Sequence, residues 1–457
     1  MTPTRYGTST GDIGPLAQSV RFQSSGQVAK NRFMKSAMAE LMATWSPHKM
    51  EERGIPTQEL IELYRRWGEG KNNWGVIITG NIDIEFDALD SVGDMIITRQ
   101  CPLHGERFTK FEELAAAARS DGSLILGQVS HPGRQVWDRI NPFAVSASDV
   151  QLGPKAALSF GKPHAATKEE IASIVEGFAY AAEYLEKAGF NGIELHGAHG
   201  YLIAQFLSRT TNQRTDEYGP QTVENRLRFV SDIVKAIRRR VSPDFVLGVK
   251  LNSVEFQDSG VTPKEAQEVC EELERLNIDF VELSGGTYEK LGMVWERESS
   301  RKREAYFIEW AEMIIKSLDS EHKIKIYVVG GIRSVEVMVQ TLNVANGVAF
   351  ARPAAAEPRL PSTILQSGST ITGAIQPTAE FEKDFFTSKT LAETQMRQIA
   401  DGQKPIDSSD NMAMAHFLQD VRGWSQEIAN LAPTLPTSVR AVQYTGPQIL
   451  YDQHFSA

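Results

Sequence analysis

The chain has 457 residues, of which 41% are hydrophobic and 23% are charged, and its formal net charge at pH 7 is −10. This length and composition predict a globular protein with one large core plus additions, and the acidic balance argues against a nucleic-acid or anionic-membrane surface. The sequence has no apolar run of about eighteen residues, no signal-peptide pattern and only two cysteines, so we expect a cytoplasmic protein without a membrane segment, disulfide scaffold or four-cysteine iron–sulfur cluster.

Short apolar segments alternate with amphipathic helical patterns along most of the chain. The predicted strands are Asn31–Met38, Trp74–Asn81, Leu124–His131, Gly192–His196, Phe245–Asn252, Phe280–Gly285, Ile326–Gly331 and Gly347–Arg352. The predicted helices are Thr57–Gly70, Phe108–Asp121, Thr167–Ala188, Val223–Arg240, Pro263–Asn277, Ala305–Leu318 and Ser334–Val344, with Thr167 and Thr262 as N-caps. This order predicts an α/β fold, a (β/α)8 TIM barrel. A doubly wound sheet is disfavoured because no GxGxxG turn follows an early strand.

Three segments depart from the alternation. Residues 131–163 are rich in proline and glycine and are predicted to form a cap insertion over the barrel mouth after strand 3. Residues 288–303, which include Trp295, are predicted to form a charged loop beside the site or a plain solvated loop. The barrel is expected to span residues 15–365. Residues 366–457 are expected to form a partly helical C-terminal extension that wraps the barrel or supports a homodimer.

The most informative segment follows the fourth predicted strand, where His196, His199 and Tyr201 stand together. At the carboxyl end of a barrel strand these side chains can converge on one small polar group. Two imidazole N–H donors suit an oxygen that gains negative charge, and a phenol nearby suits proton donation to carbon, as in reduction of a conjugated alkene. Zinc ligation or ordinary core packing is the alternative, although no HExxH pair or cysteine cluster accompanies the histidines.

Other strand ends carry residues that suit a phosphate and a flavin ring. Gly330 and Gly331 close the seventh strand and Arg352 closes the eighth, where barrel loops commonly hold a phosphate, although a glycine pair is also an ordinary turn. Gln128 on strand three suits the pyrimidine edge of a flavin, and Lys250 on strand five suits the N1 and O2 side of the ring. Structural roles for Gln128 and Lys250 are the alternative.

With these motifs in order, the chain resembles the Old Yellow Enzyme family of flavin-dependent ene-reductases, also described as NADH:flavin oxidoreductases. The similarity covers roughly residues 15–365, and the extended tail with Tyr306-Phe307 points to the fungal branch. The matching pieces are Asn31-Arg32, Ala37-Met38, Gly75–Thr79, Gly127-Gln128, His131–Gln135, His196–Tyr201, Asn212–Gly219, Glu224–Arg226, Gly330-Gly331 and Arg352-Pro353.

The resemblance implies an FMN-containing barrel that takes hydride from NADPH or NADH and passes it from flavin N5 to an activated alkene, namely an α,β-unsaturated carbonyl or nitro compound. It implies that His196 and His199 bind the activating oxygen and that Tyr201 donates the proton. No metal is implied. The cofactor-binding residues that it implies are Met38, Ala39, Gly80, Asn81, Gln128, Lys250, Gly330, Gly331, Ala351 and Arg352.

Three positions differ from the usual pattern of the family. Ala39 replaces a Thr or Cys able to hydrogen-bond flavin O4, Lys250 replaces an Arg, and Ala351 replaces a Gly. Loss of the donor at position 39 is expected to lower the flavin potential. A redox-neutral isomerase or dehydrogenase of a biosynthetic pathway is therefore the alternative function, and a barrel-scaffold binding protein without flavin is a third.

Overall fold

Eight parallel strands close into a barrel in the computed structural model, which describes residues 2–7, 12–154, 159–254, 263–285, 312, 323–366, 372–378, 384–431 and 441–451. The strands are β1 (Phe33–Lys35), β2 (Val76–Asp83), β3 (Leu124–Ser130), β4 (Gly192–Gly197), β5 (Val246–Val254), β6 (Phe280–Gly285), β7 (Lys325–Val329) and β8 (Gly347–Phe350). Each strand pairs in parallel with the next, and β1 pairs with both β8 and β2, so that no edge remains. The (β/α)8 barrel prediction is confirmed.

Short helices at Gly14–Ala17 and Leu202–Leu207 precede β1 and follow β4, respectively, and further helices follow the strands or lie in the C-terminal extension. The further helices are α1 (Gln58–Gly68), α2 (Glu106–Ala118), α3 (Lys168–Lys187), α4 (Val223–Arg238), α5 (Pro263–Arg275), α6 (Val335–Thr341), α7 (Arg352–Ala356), α8 (Leu360–Gln366), α9 (Phe385–Ala400) and α10 (Asn411–Leu431). The predicted helices that these ranges cover are confirmed, with ends that differ by a few residues. The predicted loop 288–303 and the predicted N-cap Thr262 lie outside the described residues. The predicted helix Ala305–Leu318 also lies outside them, except for Glu312.

The base of the barrel interior is apolar. An antiparallel hairpin of Val20–Arg21 and Val28–Ala29 brings Phe22 against Phe280, with ring centroids 5.6 Å apart, and next to Tyr327. These rings pack with Val76, Ile78, Leu124, Leu126 and Val246 in one buried cluster. Gly248 on β5 leaves room for the ring of Phe280, because a Cβ at residue 248 would collide with it. The base is therefore filled by side chains, and a ligand can enter the barrel only at the opposite end.

The two additions predicted from composition have regular structure in their described parts. In the segment after β3, Val145–Ser146 pairs in parallel with His164–Ala165, following a 3-10 turn at Gly133–Gln135. The C-terminal helix α9 packs against α1 and α7, and α10 is a second helix of the extension. None of the helices in the described ranges is long and apolar enough to cross a membrane.

The first turn of α3 is closed by a capping box. The Oγ1 of Thr167 accepts a hydrogen bond from the backbone N–H of Glu170 at 3.1 Å, and the Glu170 carboxylate accepts one from the backbone N–H of Thr167 at 2.8 Å. Both hydrogen bonds satisfy backbone donors that have no partner within the helix. The residues that predicted this N-terminus therefore also stabilise helix α3 through these two hydrogen bonds.

We expect Thr167→Ala to lower the free energy of unfolding by about 1 kcal/mol, because one backbone donor loses its side-chain acceptor. The midpoint of urea unfolding, followed by circular dichroism, measures this change. Thr167→Ser keeps the hydroxyl and is the matched control, which should remain near the wild type. An alanine variant as stable as the serine variant would contradict the contribution of the cap.

Candidate active site

The turn after β4 brings both histidines and the tyrosine together at the carboxyl end of the barrel. The ring of His196 lies 4.1 Å from that of Tyr201 and 5.3 Å from that of His199, measured between centroids. His199 has φ of +55° and Gly200 has φ of +79°, so two consecutive left-handed residues reverse the chain here. A left-handed conformation is uncommon for histidine and is often found at functional sites. The predicted convergence of these three residues is observed.

Hydrogen bonds orient the two imidazoles. His196 Nδ1 accepts from the backbone N–H of Ala198 at 3.4 Å, so the ring proton is on Nε2 when the imidazole is neutral. His199 Nε2 lies 3.0 Å from Ser284 Oγ, and the backbone N–H of His199 donates to Asn252 Oδ1 at 3.2 Å. The His196 ring is therefore oriented by the turn after β4, and the His199 ring is oriented by Ser284 on β6. Among the described residues, no group of three or more acidic, cysteine or histidine side chains is arranged to hold a metal ion.

Burial keeps both histidines uncharged. It is the largest effect on the pKa of His199, which falls to about 3, and the nearby Lys250 ammonium lowers it further. Burial also holds the pKa of His196 well below its ordinary value, with contributions from His199 and Lys250. A neutral imidazole still has one N–H that it can donate to an oxygen, but it lacks the acidic second proton of an imidazolium. The pair is suited to stabilising charge that develops on a bound molecule.

Gln128 and Lys250 lie in the same polar layer inside the barrel. Lys250 pairs in register with His196 on β4 and with Glu282 on β6, and Gln128 pairs with Glu194. Lys250 Nζ donates to Ser36 Oγ at 2.8 Å, and Gln128 Nε2 donates to Glu194 Oε1 at 2.7 Å. Gln128 and Lys250, predicted from separate strands, are therefore joined through buried acidic and hydroxyl side chains.

The segment after β1 lies over β2, where four further predicted residues are found. Glu40 Oε1 accepts from the backbone N–H of Gly80 at 2.8 Å and also from the Tyr64 hydroxyl. A Cβ at residue 80 would collide with the carbonyl oxygen of Met38, so only glycine fits this approach. Asn81 is buried and pairs in register with Gln128, whereas Ala39 is half-buried and contributes no polar side-chain group.

The predicted phosphate-binding residues follow the two adjacent strands β7 and β8. Gly330 and Gly331 have φ of 125° and 69°, conformations that turn the backbone sharply and favour glycine. Ala351 precedes helix α7, and the Arg352 guanidinium donates to the Ser388 hydroxyl on α9. The expectation that Arg352 ends the eighth strand is wrong, since β8 stops at Phe350 and Arg352 begins a short helix that Pro353 favours.

Several polar residues of this region were not predicted from the sequence. They are Ser36, Glu40, Glu194, Glu282 and Ser388. Glu194 and Glu282 are fully buried acids within two mainly apolar strands, and an acid in such a strand is rare enough to be a usable sequence signal. Ser388 lies in the extension, outside the repeating pattern, and carries no comparable signal.

Comparisons with known proteins agree with the geometry. A family model described as the NADH:flavin oxidoreductase / NADH oxidase family matches residues 25–370. An NADH-dependent flavin oxidoreductase of Aspergillus parasiticus is 44% identical over 416 residues, which cover 90% of this chain and 92% of the relative.

Solved structures resemble this chain in fold. The old yellow enzyme homologue of Zymomonas mobilis aligns with a TM-score of 0.60 at 21% identity, over 81% of this chain and 99% of that one. A 2-naphthoyl-CoA reductase aligns with a TM-score of 0.67 at 23% identity, over 78% of this chain but only 53% of that one. The chain thus spans about half the length of the second enzyme, and identities this low establish the shared barrel alone.

Because the pKa values of His196 and His199 are lowered, we expect neither imidazole to titrate between about pH 5 and 8. Below an unfolded-state pKa of about 6.5 the unfolded chain binds protons that the folded protein excludes, so stability should fall as the pH falls. NMR of labelled histidines against pH measures the first effect, with assignments from His196→Asn and His199→Asn. Titration of either ring in that range would contradict the neutral pair.

Proposed function

This chain belongs to the NADH:flavin oxidoreductase / NADH oxidase family, and we propose that it is an ene-reductase that reduces the C=C bond of an α,β-unsaturated carbonyl or nitro compound. It is an FMN-dependent oxidoreductase that uses NADH. The observation that carries the proposal is the group of two neutral imidazoles and one phenol at the end of β4. The substrate is a small molecule.

The residues at the barrel mouth fit a bound FMN. Gln128 offers an amide, Lys250 offers a buried ammonium, and the polar layer in which they lie continues to Ser36, whose backbone N–H donates to Phe350 at the end of β8. The two positive-φ glycines follow β7 and the arginine follows the neighbouring strand β8, where barrel loops commonly hold a phosphate. Met38, Ala39, Gly80 and Asn81 would line the other side of the ring.

The flavin, when bound, supplies hydride at N5 that originates from NADH. The chain's own residues complete the reduction at the other end of the alkene. The N–H groups of His196 and His199 would hold the carbonyl or nitro oxygen, which withdraws electron density as the β-carbon is reduced. Tyr201 is 5% exposed and lies beside His196, so its hydroxyl would deliver the proton to the α-carbon with little competition from water.

A redox-neutral isomerase or a dehydrogenase is the second candidate, and Ala39 is the residue that favours it. Its methyl group cannot donate a hydrogen bond to flavin O4, which would leave the reduced ring less stabilised. The two candidates differ in their need for NADH. During anaerobic incubation without a nicotinamide, a redox-neutral isomerase turns over repeatedly, whereas an ene-reductase has no source of hydride. A dehydrogenase oxidises one substrate molecule per flavin and then stops, because no acceptor reoxidises the flavin.

We expect Tyr201→Phe to slow alkene reduction by about 10²- to 10⁴-fold, because general acid catalysis is lost while the ring still packs on His196. Flavin reduction by NADH should change only a few-fold. Anaerobic stopped-flow absorbance, with cyclohexenone as the alkene, follows the two half-reactions separately. Equal slowing of both half-reactions would refute proton donation by Tyr201.

We expect Arg352→Gln to weaken FMN binding by about tenfold to hundredfold, as loss of a charge-assisted hydrogen bond does. Riboflavin, which has the same ring and no phosphate, should bind the variant as it binds the wild type. Quenching of flavin fluorescence gives both dissociation constants. Arg359→Gln, whose guanidinium pairs with Glu69 instead, is the matched control. Equal losses for FMN and riboflavin would contradict phosphate recognition by Arg352.

A further inference from the structure

Lys250 is held by a buried network that joins β5, β6 and the residue directly after β1. Its Nζ donates to Ser36 Oγ at 2.8 Å and to Glu282 Oε1 at 3.2 Å. The Ser36 hydroxyl in turn donates to the same Glu282 oxygen at 2.5 Å. All three side chains are buried, with Glu282 and Ser36 fully inaccessible. Lys250 is therefore one half of a desolvated ion pair, and Glu282 is the other half.

A second acid, Glu194, extends this network toward Gln128. Glu194 Oε1 accepts from Gln128 Nε2 at 2.7 Å, and the Glu282 carboxyl group is next to that of Glu194. Within the described residues, Oε2 of both acids lacks an N–H or O–H donor. Two facing carboxylates in a dry site cannot both be charged, and one shared proton would satisfy both oxygens.

The contacts decide which acid carries the proton. Glu282 accepts from an ammonium and a hydroxyl, whereas Glu194 accepts from one neutral amide. The negative charge is better stabilised on Glu282, so the proton is on Glu194. Burial and the neighbouring Glu282 carboxyl raise the pKa of Glu194 well above its ordinary value, which agrees with this assignment.

Lys35 and Glu40 form a second buried pair of opposite charges near Lys250 and Glu282. Lys35 donates to the carbonyl oxygen of Ile78 at 2.8 Å and lies 3.9 Å from Glu40 Oε1. Burial lowers the pKa of Lys35 to about 8, so the side chain remains mostly cationic at pH 7. Lys35 with Glu40 and Lys250 with Glu282 form two neutral pairs, and protonated Glu194 adds no charge.

We propose that Glu282 is a positioning residue that holds Lys250 in a neutral ion pair beside the flavin ring and thereby lowers the reduction potential of the bound flavin. This rests on the proposed contact between Lys250 and the flavin. A cation near N1 and O2 favours the reduced ring, which is anionic. A carboxylate 3.2 Å from that cation offsets its field at the ring. Glu282 therefore acts through Lys250, without touching the flavin.

The reduction potential of the FMN-loaded, full-length protein tests the proposal. We expect Glu282→Gln to favour the reduced flavin by tenfold or more, about 30 mV or more in the positive direction for a two-electron couple. Glu194→Gln is the matched control. It makes the same change of atoms on a group that is already neutral, and it should shift the equilibrium less than about threefold. Anaerobic titration against a redox dye gives all three potentials.

Four outcomes can overturn the proposal. It fails if neither variant shifts, if the two shift equally, if Glu194→Gln shifts more, or if Glu282→Gln shifts in the negative direction. Because no alkene enters the measurement, a failure of alkene reduction by the wild type would count against the proposed function alone.

A double variant covers the case in which Glu282→Gln no longer retains flavin because an unpaired ammonium is buried. Lys250→Gln with Glu282→Gln removes both charges of this pair together, so neither is left buried without its partner. We expect its potential to lie near that of the wild type, because one neutral pair replaces another. A large negative shift would mean that the wild-type Lys250 acts as an uncompensated cation, and would overturn the proposal.

Discussion

A closed barrel shields its interior from water, so every charge placed there needs a partner of opposite sign or a proton. The mouth of this barrel meets that constraint with two ion pairs, Lys250–Glu282 and Lys35–Glu40, and with one protonated acid, Glu194. Removing one member would leave a charge that the surrounding apolar side chains cannot solvate. These groups hold one another in place through ion pairs and hydrogen bonds, which is how a preorganised polar site is built.

The same strands form both the apolar base and the polar mouth. On β5, Gly248 makes space for the ring of Phe280 near the base, and Lys250 stands two residues further along on the same face. Side chains two residues apart in a strand point in the same direction, so alternate residues of one strand line the barrel interior at successive depths. An apolar residue near the base can therefore be followed by a polar residue near the mouth. The polar residues are fixed to rigid backbone whose register is set by neighbours on both sides.

The turn after β4 depends on this arrangement. His199 adopts a left-handed conformation that is held from β5 by Asn252, and its ring reaches Ser284 on β6. Burial, with help from the Lys250 ammonium, keeps the imidazole neutral. The electrostatics of the histidine pair and of Lys250 are therefore coupled. Burial is the main reason that both imidazoles are neutral, and the Lys250 ammonium adds to that effect.

Local sequence determined the order of strands and helices, the capped start of α3, and the His196, His199 and Tyr201 group, because these features depend on neighbouring residues and on periodicities of 2 and 3.6. Tertiary structure alone decided that Ser36 meets Glu282, 246 positions away, that Glu194 faces Glu282, and that Ser388 meets Arg352. No local pattern specifies such contacts. They follow from the closure of the barrel and its strand register, which turn isolated polar residues into one network with a defined charge.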